Sequence, residues 1–266
     1  MSERDYAALD AAWEALDRGE PEHALELCSA ASDELAETWV LRATAALDLD
    51  DIDTARGAAL KASELEDGEG DPELLVLQAE IDLRDWEIDA AREHLERAQS
   101  LGKSPVILSK LALIEDLDGD FGRADRLLRE AHKLDPQNFP TPPRLSEHEF
   151  DAQLKLAVHA LPAQFQAALE SVPVIVEPMP SRSVVGDDPA ETPPDLLGLF
   201  SGASRLEQLE DGAAQLPPTI HLFQRNIERS SVERGELVEQ IRVTLYHELA
   251  HYLGFDEEGV ADLGLE

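Results

Sequence analysis

Up to about Pro136, apolar residues recur at intervals of three and four, with Ala, Glu and Arg between them, the pattern of amphipathic helices. Short turns of Gly, Asp and Pro interrupt the pattern. The interruptions are themselves regular. GEPEHALEL (19–27), DIDTARGAAL (51–60), DWEIDAAREHL (85–95) and DFGRADRLL (120–128) each close one helix and open another. The alanine that ends the turn falls at Ala24, Ala55, Ala90 and Ala124, spaced by 31, 35 and 34 residues. NFPTPPRLSE (138–147) then breaks the pattern with three prolines that no helix interior accepts. One more helix follows in EHEFDAQLKLAVHALP (147–162), with Phe150, Leu154, Ala157 and Leu161 on its apolar face. Beyond it the texture becomes mixed. VPVIVEPMP (172–180), LLGLFSG (196–202) and PTIHLFQRN (218–226) read as short strands, and SRSVVGDDPAETPPD (181–195) reads as a loop. The last long helix is expected from about Val232 to Leu253, burying Leu237, Ile241, Leu245, Leu249 and Tyr252. Gly254 caps it in the left-handed conformation. The predicted architecture is an all-α repeat module over residues 1–137, followed by an α+β domain with a small sheet over residues 146–266.

The repeat spacing resembles that of the tetratricopeptide repeat, whose period is about 34 residues. Asp71–Pro72 and Asp135–Pro136 stand where that repeat closes its second helix, whereas Trp39 and Trp86 are not in equivalent positions. A helical hairpin of this kind cannot bury its apolar face alone, so copies stack and leave a concave surface suited to a peptide or protein segment. The expected partner of the first module is therefore a peptide or protein.

Charge narrows the choice of partner further. The 266 residues include 57 Asp and Glu against 22 Lys and Arg, a formal charge of −35. Residues 1–137 carry 14 basic and 35 acidic residues (−21), and residues 138–266 carry 8 and 22 (−14), so both modules share the excess. No basic patch is available to neutralise nucleic-acid phosphates, and an anionic membrane surface would repel the chain. The field favours divalent cations and basic or neutral peptides, and the acidity fits a salt-rich cytoplasm. The one cysteine, Cys28, makes no internal disulfide. The opening MSERDYAALD has neither the basic nor the apolar stretch of a signal peptide, and no apolar run is long enough to span a membrane. A cytoplasmic protein is expected.

His247-Glu248-Leu249-Ala250-His251 is an HExxH sequence on the last helix. Residues four apart share a helix face, so both imidazoles can reach one zinc ion while Glu248 stands ready as a base. No histidine follows His251, and both methionines, Met1 and Met179, precede it, so a downstream Met-turn is not expected. The third ligand is then a carboxylate in the tail or an upstream residue such as His221. His221, Arg225 and Tyr252 are candidate donors to a developing oxyanion.

Residues 146–266 are similar to a known family, the small bacterial zincin-like metallopeptidases with the pattern HExxHxxGxxD. The similarity runs through ALP (160–162), VPVIVEPMP, LLGLFSG, LPPTIHLFQRNIER (216–229) and IRVTLYHELAHYLGFDEEGVADLGL (241–265). It implies a zincin-like fold with His247 and His251 as zinc ligands and Glu248 as general base. The family's final Asp is replaced here by Glu257, with Asp256 just before it. The resemblance thus implies Glu257 as third ligand and Asp256 as its alternative. The implied function is zinc-dependent peptide hydrolysis, with the repeats recruiting a substrate. The alternative is a non-catalytic adaptor with a structural or vestigial metal site.

Overall fold

The computed structural model describes residues 2–68, 70–161, 163–184, 192–203 and 217–255. It divides into two compact units that meet in sequence at Asp135 and Pro136, with Thr192 and Pro193 grouped with the first.

The first unit is a stack of four helical hairpins. They are α1 (Glu3–Asp17) with α2 (Pro21–Cys28), α3 (Ala36–Asp48) with α4 (Ile52–Ser63), α5 (Pro72–Arg84) with α6 (Ile88–Leu101), and α7 (Pro105–Leu117) with α8 (Phe121–Leu134). The second helix of each of the first three hairpins also packs on the first helix of the next, and α1 and α3 reach α3 and α5 in the same way. The four turns are built alike. Gly19, Asp50, Trp86 and Gly119 all take positive φ, at 72, 56, 57 and 81°. The following residue, Glu20, Asp51, Glu87 or Asp120, donates its backbone N–H to the carbonyl five positions back. That residue's own carbonyl accepts from Ala24, Ala55, Ala91 or Ala124, the last three fully buried and Ala24 likewise. The equivalent of Ala24 in the third hairpin is therefore Ala91 and not Ala90: it stands five positions after Trp86, as Ala24, Ala55 and Ala124 stand five after Gly19, Asp50 and Gly119. A second correction concerns Asp71–Pro72. It opens α5 instead of closing α4: the Asp71 side chain accepts from Glu73 N–H at 2.9 Å, and proline needs no partner in a first turn.

Two junctions of the stack share an ionic link. Arg56 on α4 binds Asp82 on α5 at 2.5 Å and Asp85, just past its end, at 2.9 Å. One hairpin later, Arg92 on α6 binds Glu115 on α7 at 2.9 Å and also Asp118, just past its end. Asp82 and Glu115 are both buried, and they occupy the place that Ala15 and Ala46 take in the first two hairpins. His94 Nδ1 lies 2.9 Å from the other oxygen of Asp82. Cys28 is buried in the first hairpin, where desolvation pushes its thiol pKa up, so it packs as a small apolar side chain.

The second unit opens with an irregular proline-rich segment held by a buried carboxylate. Glu228 accepts from Arg144 at 2.8 Å, from the Leu145 N–H at 3.0 Å and from Gln224 at 2.8 Å. Ser146 and Glu149 form a reciprocal cap on α9 (Glu147–Ala160), and α10 (Ala163–Leu169) follows. Three strands, β1 (Val174–Glu177), β2 (Gly198–Ser201) and β3 (Thr219–Phe223), make a sheet in the order β1-β3-β2. β1 runs parallel to β3 and β2 antiparallel to it. PTIHLFQRN is strand only to Phe223. Gln224–Arg229 turns into the short helix α11, where Gln224 bonds the Leu145 carbonyl and Asn226 bonds the Pro194 and Leu196 carbonyls. The last helix, α12, spans Arg234–Leu253. Leu237, Ile241, Leu245, Leu249 and Tyr252 lie buried against Phe150, Ala157, Ile220 and Leu222, the apolar faces read from the sequence. No described helix is long and apolar enough to cross a membrane.

Candidate metal centre

Each end of α12 is fixed by its own sequence. At the start, Glu236 reaches back to the N–H groups of Val232 and Glu233, at 2.7 and 3.4 Å. At the end, Gly254 takes φ 96° and ψ 19°, and Phe255 N–H returns to the Ala250 carbonyl at 3.1 Å. This reversal brings the Phe255 carbonyl to 3.1 Å from His251 Nδ1. A carbonyl only accepts, so Nδ1 carries the proton and Nε2 of His251 presents its lone pair as an acceptor.

That lone pair faces His247. The two Nε2 atoms lie 3.0 Å apart, and the rings meet edge to face with centroids 4.7 Å apart. Two nitrogens each about 2.0–2.1 Å from one tetrahedral zinc stand roughly 3.3 Å apart, so the pair fits the ion with little adjustment. Glu248 is buried, with 6% of its surface exposed. Its neighbour is Gly198, the first residue of β2. A Cβ at Gly198 would stand 2.9 Å from both Cγ and Oε1 of Glu248 and 2.8 Å from Thr244 Cγ2. The strand can approach the helix this closely only because residue 198 has no side chain. An isolated glycine inside an apolar strand run is the sequence signal for such an approach. Two further contacts hold α12 in place: Tyr252 packs its ring 5.8 Å from Phe200 on β2, and the Tyr246 hydroxyl donates to the Ala157 carbonyl at 3.3 Å.

The structure brings His247 and His251 together with Glu248 one residue away, and it does not bring His221 to them. His221 lies on β3 between Ile220 and Leu222, which face α12, so its side chain projects from the opposite face of the sheet. Tyr252 is a core residue. Among the described residues no group of three or more His, Cys, Asp or Glu side chains gathers at one point. Glu257 and Asp256, the expected third ligand and its alternative, lie outside the described residues.

Comparison with known proteins adds two findings. No curated protein matches the chain. Residues 169–265 match the model of the zincin-like metallopeptidase family, and the chain therefore carries a domain of that family behind its helical N-terminal region.

Proposed function

We propose that the chain is a cytoplasmic zinc peptidase whose helical array recruits the peptide or protein to be cut. The observation that carries this reading is the convergence of the His247 and His251 Nε2 atoms at 3.0 Å, with the His251 proton held on Nδ1 by the Phe255 carbonyl. His247 and His251 hold the metal, Glu257 completes the set, and Asp256 is its alternative. Zinc, when bound, supplies a Lewis acid that polarises a carbonyl and lowers the pKa of water to about 7. Glu248 takes a proton from the attacking water onto its carboxylate and hands it to the leaving amine nitrogen. Its burial against Gly198 orients the carboxylate and keeps bulk solvent from it. Among the described residues β2 is an outer strand of the sheet, so an extended substrate can pair along it beside Glu248.

Substrate recruitment by the array is supported by a cavity of about 300 Å³ among α4, α5 and α6, lined by Leu60, Gln78 and Ile81. Stacked hairpins present such hollows on a continuous surface. The charge of −35 favours basic or neutral segments over acidic ones. Zinc content and digestion of a peptide library by wild type and Glu248→Gln test the reading. Bound zinc in both, with cleavage only by wild type, is the expected result. Zinc without cleavage in either protein would make the chain an adaptor instead.

A further inference from the structure

The sheet has a second polar face. Alternation along the strands turns Val174, Val176, Gly198, Phe200, Ile220 and Leu222 toward α12, and Ile175, Glu177, Leu199, Ser201 and His221 away from it. On that far face three side chains from three strands are joined in series. His221 Nδ1 lies 2.8 Å from Glu177 Oε2 on β1, and His221 Nε2 lies 3.3 Å from Ser201 Oγ on β2. The carboxylate only accepts, so Nδ1 carries the proton. Nε2 is then the acceptor, and the Ser201 hydroxyl donates to it. A hydroxyl, an imidazole and an orienting carboxylate in this order activate a serine for acyl transfer, and the arrangement is recognised by geometry and role, whatever the fold.

The surroundings suit those roles. His221 is largely shielded, with 12% of its side chain exposed, while Glu177 keeps 30%. Its partners in register are Ile175 on one side and Leu199 on the other, so the base has apolar walls. Ser201 is partly exposed at the end of β2, next to exposed Gly202, so a substrate can reach its hydroxyl.

We propose that Ser201, His221 and Glu177 form a second hydrolytic site, one that cleaves short-chain acyl esters through an acyl-serine. Ser201 Oγ attacks the ester carbonyl carbon, and its proton moves to His221 Nε2. The bond from that carbon to the alkoxide breaks, and the alcohol leaves with the proton from Nε2. Water then attacks the acyl-serine, giving a proton to Nε2. The bond to Oγ breaks and the proton returns to Oγ, so one ester and one water become an acid and an alcohol. Glu177 is a positioning residue: it holds the imidazole in one tautomer and stabilises its protonated form. Ile175 and Leu199 favour an apolar acyl group over a charged one.

The test uses the full chain with p-nitrophenyl acetate and an alkyl fluorophosphonate. The expected result is a fluorophosphonate adduct located at Ser201 by mass spectrometry. Ester hydrolysis should fall about 100-fold or more in Ser201→Ala, the scale of losing acid–base-assisted attack. Glu177→Gln should fall at least about tenfold, and Glu177→Asp should recover part of the rate, a rescue that a purely structural carboxylate would not show. Dialysis against EDTA should leave both labelling and hydrolysis in place. Absence of the adduct, equal hydrolysis by Ser201→Ala, or loss of both activities with EDTA would overturn the proposal. Because the readout does not depend on metal, failure of the zinc reading and failure of this one are distinguishable.

Discussion

Replacing Gly198 with alanine probes how tightly β2 is fitted to the helix that carries the proposed base. The added methyl would sit 2.8 Å from Thr244 Cγ2 and 2.9 Å from Cγ and Oε1 of Glu248. Carbon contacts are comfortable at about 3.5–4.0 Å, so strand and helix must part by roughly 0.6 Å or more. Overpacking on this scale costs about 1–3 kcal/mol. For a domain of this size that lowers the Tm by about 3–10 °C. The same methyl presses on the Glu248 carboxylate. Misplacing a catalytic group by about 1 Å costs roughly 100-fold, so peptide hydrolysis should fall about tenfold or more. Gly235→Ala is the matched control. It adds the same group in the first turn of α12, where nothing lies within 4 Å, and alanine in place of a helical glycine stabilises by about 0.5 kcal/mol. Calorimetry of the full chain and both variants reads the difference. If Gly198→Ala melts with Gly235→Ala, the close approach does not exist and the seating of Glu248 against β2 is refuted.

Three further outcomes are expected. The Ser146 N–H, the Arg234 guanidinium and the Ser146 hydroxyl hold the Glu149 carboxyl down to about 2 from 4.5. A carboxyl lowered on folding stabilises above its unfolded value and loses that contribution as pH falls through the folded one. Wild-type Tm should therefore drop more steeply than that of Glu149→Gln between pH 4.5 and about 2, and parallel profiles would count against the cap. Arg56→Met strands the buried Asp82 carboxylate with His94, at a cost of about 3 kcal/mol in urea melts. Adding Asp82→Leu should recover most of this loss, and a double variant no more stable than the single one would contradict a desolvated pair. Gly119→Ala places a side chain at φ 81° with open space around it, so about 1 kcal/mol of backbone strain should appear undiluted in the melt.

Periodicity was enough to read the helices of the array and the face of α12, because burial of a stripe leaves a direct trace in residue order. The register within the third hairpin was not so readable. Ala90 and Ala91 are chemically alike, and only the backbone bond from Ala91 to Glu87 distinguishes the buried one. The apolar start of PTIHLFQRN continued smoothly into α11, so local pattern could not locate the change at Phe223. That change is set by Gln224 and Asn226 bonding to carbonyls that are distant in sequence. HELAH was visible because its spacing is local. The partners that orient it, the Phe255 carbonyl and Gly198, depend on a chain reversal and on strand placement. The same is true of His221, whose link to Glu177 spans 44 positions and rests on the pairing of β1 with β3.

The arginine links also bear on how the array can grow. The third hairpin presents Asp82 and Asp85 to the hairpin before it and Arg92 to the one after, so it carries both halves of the junction. A tandem copy inserted after Leu101 would offer its own Asp82 and Asp85 to the original Arg92, while its Arg92 met Glu115 and Asp118. The first hairpin has no such freedom, since Leu25 stands where Arg56 and Arg92 would be and Ala46 faces it in the second. Duplication can thus lengthen the array from its interior without designing a new interface, whereas the amino-terminal hairpin is committed to its one place at the end.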